Sequence, residues 1–274
     1  MAPRVADVTA DDVAALFDRL YVPRGAMLYV QSSMDWTERA GFTANEVMRT
    51  LTRWIEPAGT LVMPSYPTAQ RHLDYLASSP RFDVNRTPTV SGLLAEMLRR
   101  TSGAIRSLDP DFPVCAIGRE AAAISGGLPD EADPFGVRSP YQRMLDHGAV
   151  LVGLGVSHNT SSFIHVIDSR AAAGYPTDAY DSRLFDTTVV DVDGRSHLVR
   201  RRALRPEFQQ LTAPSAIIES MQPGADAFTA IDIVGARFFR WDLGAWASWC
   251  LEHARAQAAH GRWPCWLSRL SDAA

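Results

Sequence analysis

The chain has little that would staple or anchor it. Its three cysteines, Cys115, Cys250 and Cys265, form no C-x-x-C pair, so neither a disulfide framework nor a zinc site of usual spacing is expected. No run approaches the roughly 18 to 20 apolar residues that a membrane span needs. "MAPRVADVTADDVAALF" lacks the apolar core of a secretory leader, and the expectation is a cytoplasmic protein without a membrane partner. Neither sign of charge dominates: a net charge of −4 over 274 residues argues against bulk binding to nucleic acid. G-x-G-x-x-G, G-x-x-x-x-G-K-[ST] and G-x-S-x-G are all missing, which weakens dinucleotide, nucleoside triphosphate and serine-hydrolase readings.

What is present reads as an α/β chain. Hydrophobic residues are 46% of it, enough for one large core. "VTADDVAALFDRL" has apolar positions at helical spacing behind Thr9. "AMLYVQSS" and "GTLVMPSY" are nearly continuous apolar runs, expected of strands covered on both faces. Between them, "TANEVMRTLTRWIEP" opens with the capping-box pair Thr43 and Glu46, sets Val47, Leu51, Trp54 and Ile55 on one helical face, and stops at Pro57. Such a crossover implies a parallel pair. Ser32, Ser33, Ser65 and Tyr66 would then share the edge where open α/β sheets bind ligands.

Farther on, "SGLLAEMLRR" reads as a helix, "PVCAIG" as a strand, "DPFGVRSP" as a loop and Ser139-Pro140 as the start of another helix. "AVLVGLGV" is a further buried strand. Two strand-like runs flank an Asp193-Gly194 turn, "AFTAIDIVGARFFRW" reads as one strand, and "LGAWASWCLEHARAQAA" as a closing amphipathic helix. With no repeat and no linker, one domain over residues 1–274 is expected.

The stretch "GVSHNTSSFIH", Gly155–His165, leads on from the buried strand "AVLVGLGV". Asn159 or Thr160 would cap a new helix there, turning the peptide N–H groups of residues 160–163 toward negative charge. His165 would lie in its second turn, with Asp168 on the same face. An imidazole beside a carboxylate at a sheet edge suits a general base, because the carboxylate favours the protonated ring. A structural histidine with a plain capping cluster fits the same spacing, and His158 reads equally as a turn residue. His158 and His165 have no third ligand at typical spacing, so no metal is expected. Spacing alone names no reaction.

Six segments in order and register resemble the aminoglycoside 3-N-acetyltransferase family: "LYVQSS", "GTLVMPSY", "TPTVSGLLAEMLRR", "GAIRSLDPDFPVCAIG", "DPFGVRSPYQRML" and "VLVGLGVSHNTSSFIHVID". The resemblance implies a three-layer α/β/α sandwich with a mixed sheet, its core parallel and its C-terminal addition antiparallel. It implies transfer of an acetyl group from acetyl-CoA to an amine of an aminoglycoside or related amino-sugar, by direct attack. His165 would be the base and Asp168 its partner. Ser32, Ser33, Arg106, Ser107, Phe135 and Gly136 would hold the co-substrate, and Asp35, Asp109, Asn159 and Thr160 the acceptor. Asp74, Asp83 and Asp111 are further candidate carboxylates for a cationic acceptor. The protein would act as a monomer or homodimer.

The departures are specific. Asp109 and Phe112 stand where the family has histidines, Pro113 where it has a serine, and Asp168 where it has a glutamate. They motivate two alternatives: a biosynthetic amino-sugar as acceptor, or a non-catalytic CoA- or sugar-binding relative of the same fold. A hydrolase pairing His165 with a nearby serine is the third reading.

Overall fold

The computed structural model describes residues 10–224 and 226–270; the expected opening residue of the first helix, Thr9, lies outside them. The strand–helix–strand unit forms where the sequence puts it. Strands Met27–Ser32 (β1) and Thr60–Pro64 (β2) pair in parallel, Leu28 beside Leu61. The helix Ala44–Ile55 crosses between them behind a closed capping box. Glu46 N–H donates to Thr43 Oγ1 at 3.3 Å, and Thr43 N–H donates to Glu46 Oε2 at 2.8 Å.

The remaining strands are Arg81–Asp83 (β3), Ile105–Arg106 (β4), Val114–Gly118 (β5), Val150–Leu154 (β6), Tyr180–Val190 (β7), Ser196–Leu204 (β8), Phe228–Ile233 (β9) and Ala236–Asp242 (β10). The main sheet runs β4-β5-β2-β1-β6-β10-β9. The β2–β1 and β1–β6 pairings are parallel; the β2–β5, β5–β4, β6–β10 and β10–β9 pairings are antiparallel. The expected mixed sheet is therefore present. One strand assignment needs correction: "AFTAIDIVGARFFRW" is two strands. Val234 and Gly235 both take positive φ, 48° and 70°, and turn the chain back on itself. The Asp193-Gly194 hairpin forms as expected, but pairs with β3 in a separate three-stranded sheet.

Alternation along the central strands produces the layers. Tyr29, Val62, Leu151, Phe239 and Trp241 face one core, under the helices Pro140–Asp146, Ile164–Ala171 and Leu243–Ala258. Leu28, Val30, Leu61, Met63, Val150 and Phe238 face the other, under the helices Ala10–Arg19, Ala44–Ile55 and Leu93–Arg99. Each buried side chain of this size stabilises the fold by about 1.5–3 kcal/mol. Among the described residues, no helix is long and apolar enough to cross a membrane.

Packing above β6 leaves no room at Gly153, where an added Cβ would overlap the buried Phe239 ring. Gly153→Ala is expected to lower stability by about 1–3 kcal/mol through overpacking, read as a lower urea midpoint. An unchanged midpoint would mean that the ring moves aside freely.

Candidate active site

The site is built where β6 ends. Gly155 leaves the strand with φ +69°, and a Cβ there would run into the Trp36 ring, so this turn needs glycine. Ser157 then starts a single 3₁₀ turn, His158–Thr160, its Oγ accepting from Asn159 N–H at 3.2 Å. Ser161 is extended, and the α-helix begins only at Ile164. This corrects two expectations. His165 lies in the first turn of its helix, not the second. Neither Asn159 nor Thr160 caps that helix: Asn159 Oδ1 accepts from Ser215 N–H at 2.7 Å, at the start of the helix Ser215–Met221, while Thr160 Oγ1 donates to Ser157 O at 2.7 Å.

His165 and Asp168 do meet. Nδ1 lies 3.1 Å from Asp168 Oδ2. Asp168 is fully buried, and its Oδ1 accepts from Tyr175 OH at 3.1 Å and from Trp266 Nε1 at 3.0 Å. A carboxylate so placed accepts a hydrogen bond from Nδ1–H, which leaves the lone pair on Nε2. Among the described residues Nε2 has no hydrogen-bond partner, and the ring lines a cleft of about 130 Å³ together with Asn159, Thr160, Phe112, Leu204 and Gln209. Beneath this cleft Tyr66 OH donates to Ser162 Oγ at 3.0 Å and lies 2.7 Å from Tyr141 OH, so the sheet-edge tyrosine is tied to the loop that carries the base.

A second, wider depression of about 700 Å³ opens beside the carboxyl ends of β1 and β6, lined by Asp35, Trp36, Arg39, His158 and Arg237. Ser33 closes the turn next to it, its N–H donating to Leu154 O at 3.0 Å and its Oγ accepting from Asp35 N–H at 3.2 Å. Ser32 is the last residue of β1. Asp35 is thus on this depression and not on the His165 cleft. Burial first, and then Arg237, lowers the His158 pKa.

Four expected cofactor contacts and one acceptor contact are engaged inside the protein. Arg106 is buried and donates to the carbonyls of Ser65, Thr87 and Val84, with its guanidinium over the Phe82 ring; it ties loops together instead of meeting solvent or phosphate. Ser107 is buried, and its Oγ accepts from Val114 N–H at 3.0 Å. Phe135 is fully buried and backs His165, ring centres 5.4 Å apart. Gly136 is close to the Glu131 carboxylate, which a Cβ would overlap, so its small size serves loop packing.

Asp109 is not free for an acceptor. It meets Arg201 in a short buried ion pair, and Arg201 Nε also donates to Asp111 Oδ1 at 3.1 Å. His72 completes this cluster. Its Nδ1 accepts from Leu204 N–H at 2.9 Å, so the ring is the neutral Nε2–H tautomer, donating to Asp111 Oδ2 at 2.9 Å. Tyr175, Trp266, His72 and Arg201 are not among the site residues that the sequence points to. Arg201 had a usable signal: Val199, Arg201 and Ala203 alternate inward along β8 while Arg200 and Arg202 do not.

The family model described as aminoglycoside 3-N-acetyltransferase matches residues 29–231. Aminoglycoside N(3)-acetyltransferase VII of Streptomyces paromomycinus is 32% identical over 99 residues, 35% of this chain; the chain spans 34% of that relative's length. A crystal structure of the aminoglycoside acetyltransferase AAC(3)-Xa superposes with TM-score 0.74 at 22% identity, over 89% of this chain and 92% of that one. The structure of AAC-IIIb in binary complex with CoASH superposes with TM-score 0.72 at 18% identity, over 89% of this chain and 95% of that one. At these identities the two structures bear on fold.

The buried cluster gives a pH signature. Burial pushes the Asp109 pKa up from 3.8 to about 7; Arg201 pulls it down, and Asp111 beside it pushes it further up. One arginine serves two carboxylates, and Asp111, held by Arg201 and His72, is the one kept ionised, its pKa lowered. Between 3.8 and about 7 the folded state keeps a proton on Asp109 that the unfolded chain gives up. Stability from this group is therefore lost as pH rises through that window, and levels off above it. Urea midpoints are expected to fall from pH 5 to pH 8, and Asp109→Asn, neutral throughout, is expected to flatten that fall. An equal fall in the variant would place its origin elsewhere.

Proposed function

The chain belongs to the aminoglycoside 3-N-acetyltransferase family, and from that membership we propose that it moves an acetyl group from acetyl-CoA to the amine of an aminoglycoside or related amino-sugar, with His165 as general base. The observation that carries the reading is the dyad: an imidazole with Nδ1 held by a buried carboxylate, its ring on the wall of a cleft. As the acceptor nitrogen attacks the thioester carbonyl, Nε2 takes its proton. The C–N bond forms, the C–S bond breaks, and the departing thiolate recovers a proton. Asp168 holds the ring in the correct tautomer and stabilises the imidazolium that forms.

Asn159 and Thr160 stand at the acceptor mouth. CoASH is bound in the related AAC-IIIb structure. Here the same co-substrate is assigned to the depression beside β1, where Arg39 lines the wall with its Nε donating to Val234 O, Arg237 stands paired with Asp232, and Ser32 ends the adjoining strand. Attack is direct, without an acyl-enzyme.

Incubation with acetyl-CoA and an amine panel is expected to release free thiol, and His165→Ala to slow it by about 10²–10⁴-fold, with a lower thermal midpoint because buried Asp168 loses one of its three donors. Wild-type-like turnover in that variant would remove the base. The chain contains no lysine, so side-chain amines cannot capture the acetyl group. Intact mass after acetyl-CoA alone is therefore expected to stay unaltered, and a stable gain of one acetyl would replace direct attack by a serine ester.

A further inference from the structure

The His165 cleft is lined by hydroxyls, amides and apolar groups. Thr160, Ser161, Ser162, Asn159 and Gln209 supply the polar part, and Phe112 and Leu204 the apolar flank. No carboxylate stands among its described lining residues.

Most of the candidate acids are already engaged, and Asp35 lies outside the cleft. Asp168 takes three donors and is sealed. Asp109 and Asp111 share Arg201. Asp130 and Glu131 pair with Arg138 at 2.7 and 3.5 Å, and Asp133 with Arg202 at 3.3 Å, around a separate depression that shares no lining residue with the cleft. Asp35 lies in the wider depression among Arg39 and Arg237. Asp74 pairs with Arg71 at 3.5 Å, and Asp83 accepts from the Asn85 and Arg86 amides.

An ammonium drawn into such a cleft loses water and finds no opposite charge. The reacting nitrogen escapes that cost, because it must be neutral to attack and Nε2 removes its proton. A further ammonium held inside the cleft bears the cost in full. Resting on the acyl-transfer reading above, we propose that the acceptor carries a single amine on a hydroxylated body with an apolar flank against Phe112, and that polycations are poor acceptors.

The test compares glucosamine, a monoamine sugar, with kanamycin, a polyamine, on the full-length protein. Calorimetry in the presence of CoA reads acceptor binding, and thiol release from acetyl-CoA reads turnover. Glucosamine is expected to bind at least about tenfold more tightly, and kanamycin binding is expected to change little with added salt. Gln209→Glu, which places a carboxylate in the lining, is expected to raise the kanamycin-to-glucosamine affinity ratio about fivefold. Kanamycin binding as tightly as glucosamine or more so would overturn the proposal, and so would binding by neither. Preference for glucosamine without thiol release would uphold the binding preference and sink the acyl-transfer reading, so the two failures are separable.

Discussion

The site depends on one buried carboxylate. Asp168 has no exposed surface, yet three donors from three places in the chain converge on it: the His165 ring one helical turn back, the Tyr175 hydroxyl just beyond the same helix, and the Trp266 indole in the last 3₁₀ turn. A lone ionised carboxyl in such surroundings would be severely destabilising; this one is tolerable because each donor replaces a lost water. The hydrogen bonds that make the burial possible also fix the orientation of the imidazole. Packing and chemistry are thus one constraint, and the helix Ile164–Ala171 has its place because this residue must be satisfied.

The second buried ionic cluster obeys the same rule with a different outcome. Arg201 bridges the 109–112 loop and β8 and donates to Glu131 O at 2.7 Å, so three separate segments close on one guanidinium. His72 joins through its neutral tautomer and packs its ring on Phe112, centres 4.7 Å apart; Phe112 in turn packs on Phe135, which backs His165. A continuous wall of rings therefore runs from this cluster to the base. Asp109 and Phe112 are used internally, as an anchor and as a wall.

Much of the fold was legible because it rests on local rules. The Thr43 and Glu46 capping box, the apolar runs of β1, β2 and β6, and the Asp193-Gly194 turn each act over a few residues. The second turn, at Val234-Gly235, was hidden inside a run that alternates well enough to pass for one long strand. His165 and Asp168 were legible as a pair because helical spacing brings them together. What holds Asp168 was not, since Tyr175 and Trp266 reach it through tertiary packing that no short window contains. The residues that resemblance offered for the co-substrate divide on burial: Ser32, Ser33 and Gly136 are half-buried, whereas Arg106, Ser107 and Phe135 serve the interior. A guanidinium reads alike in sequence whether it meets a phosphate or three backbone carbonyls.

The separation of Trp266 from Asp168, 98 residues along the chain, has a consequence for biogenesis. On the ribosome, the imidazole and its aspartate emerge long before the indole that moors them. The 3₁₀ turn Cys265–Leu270 docks through Ala213 N–H to Trp266 O at 2.8 Å, and only then is the last donor delivered. A nascent chain, or one cut short before Trp266, carries both members of the pair without the anchor that orients them, so competence waits for the Cys265–Leu270 turn.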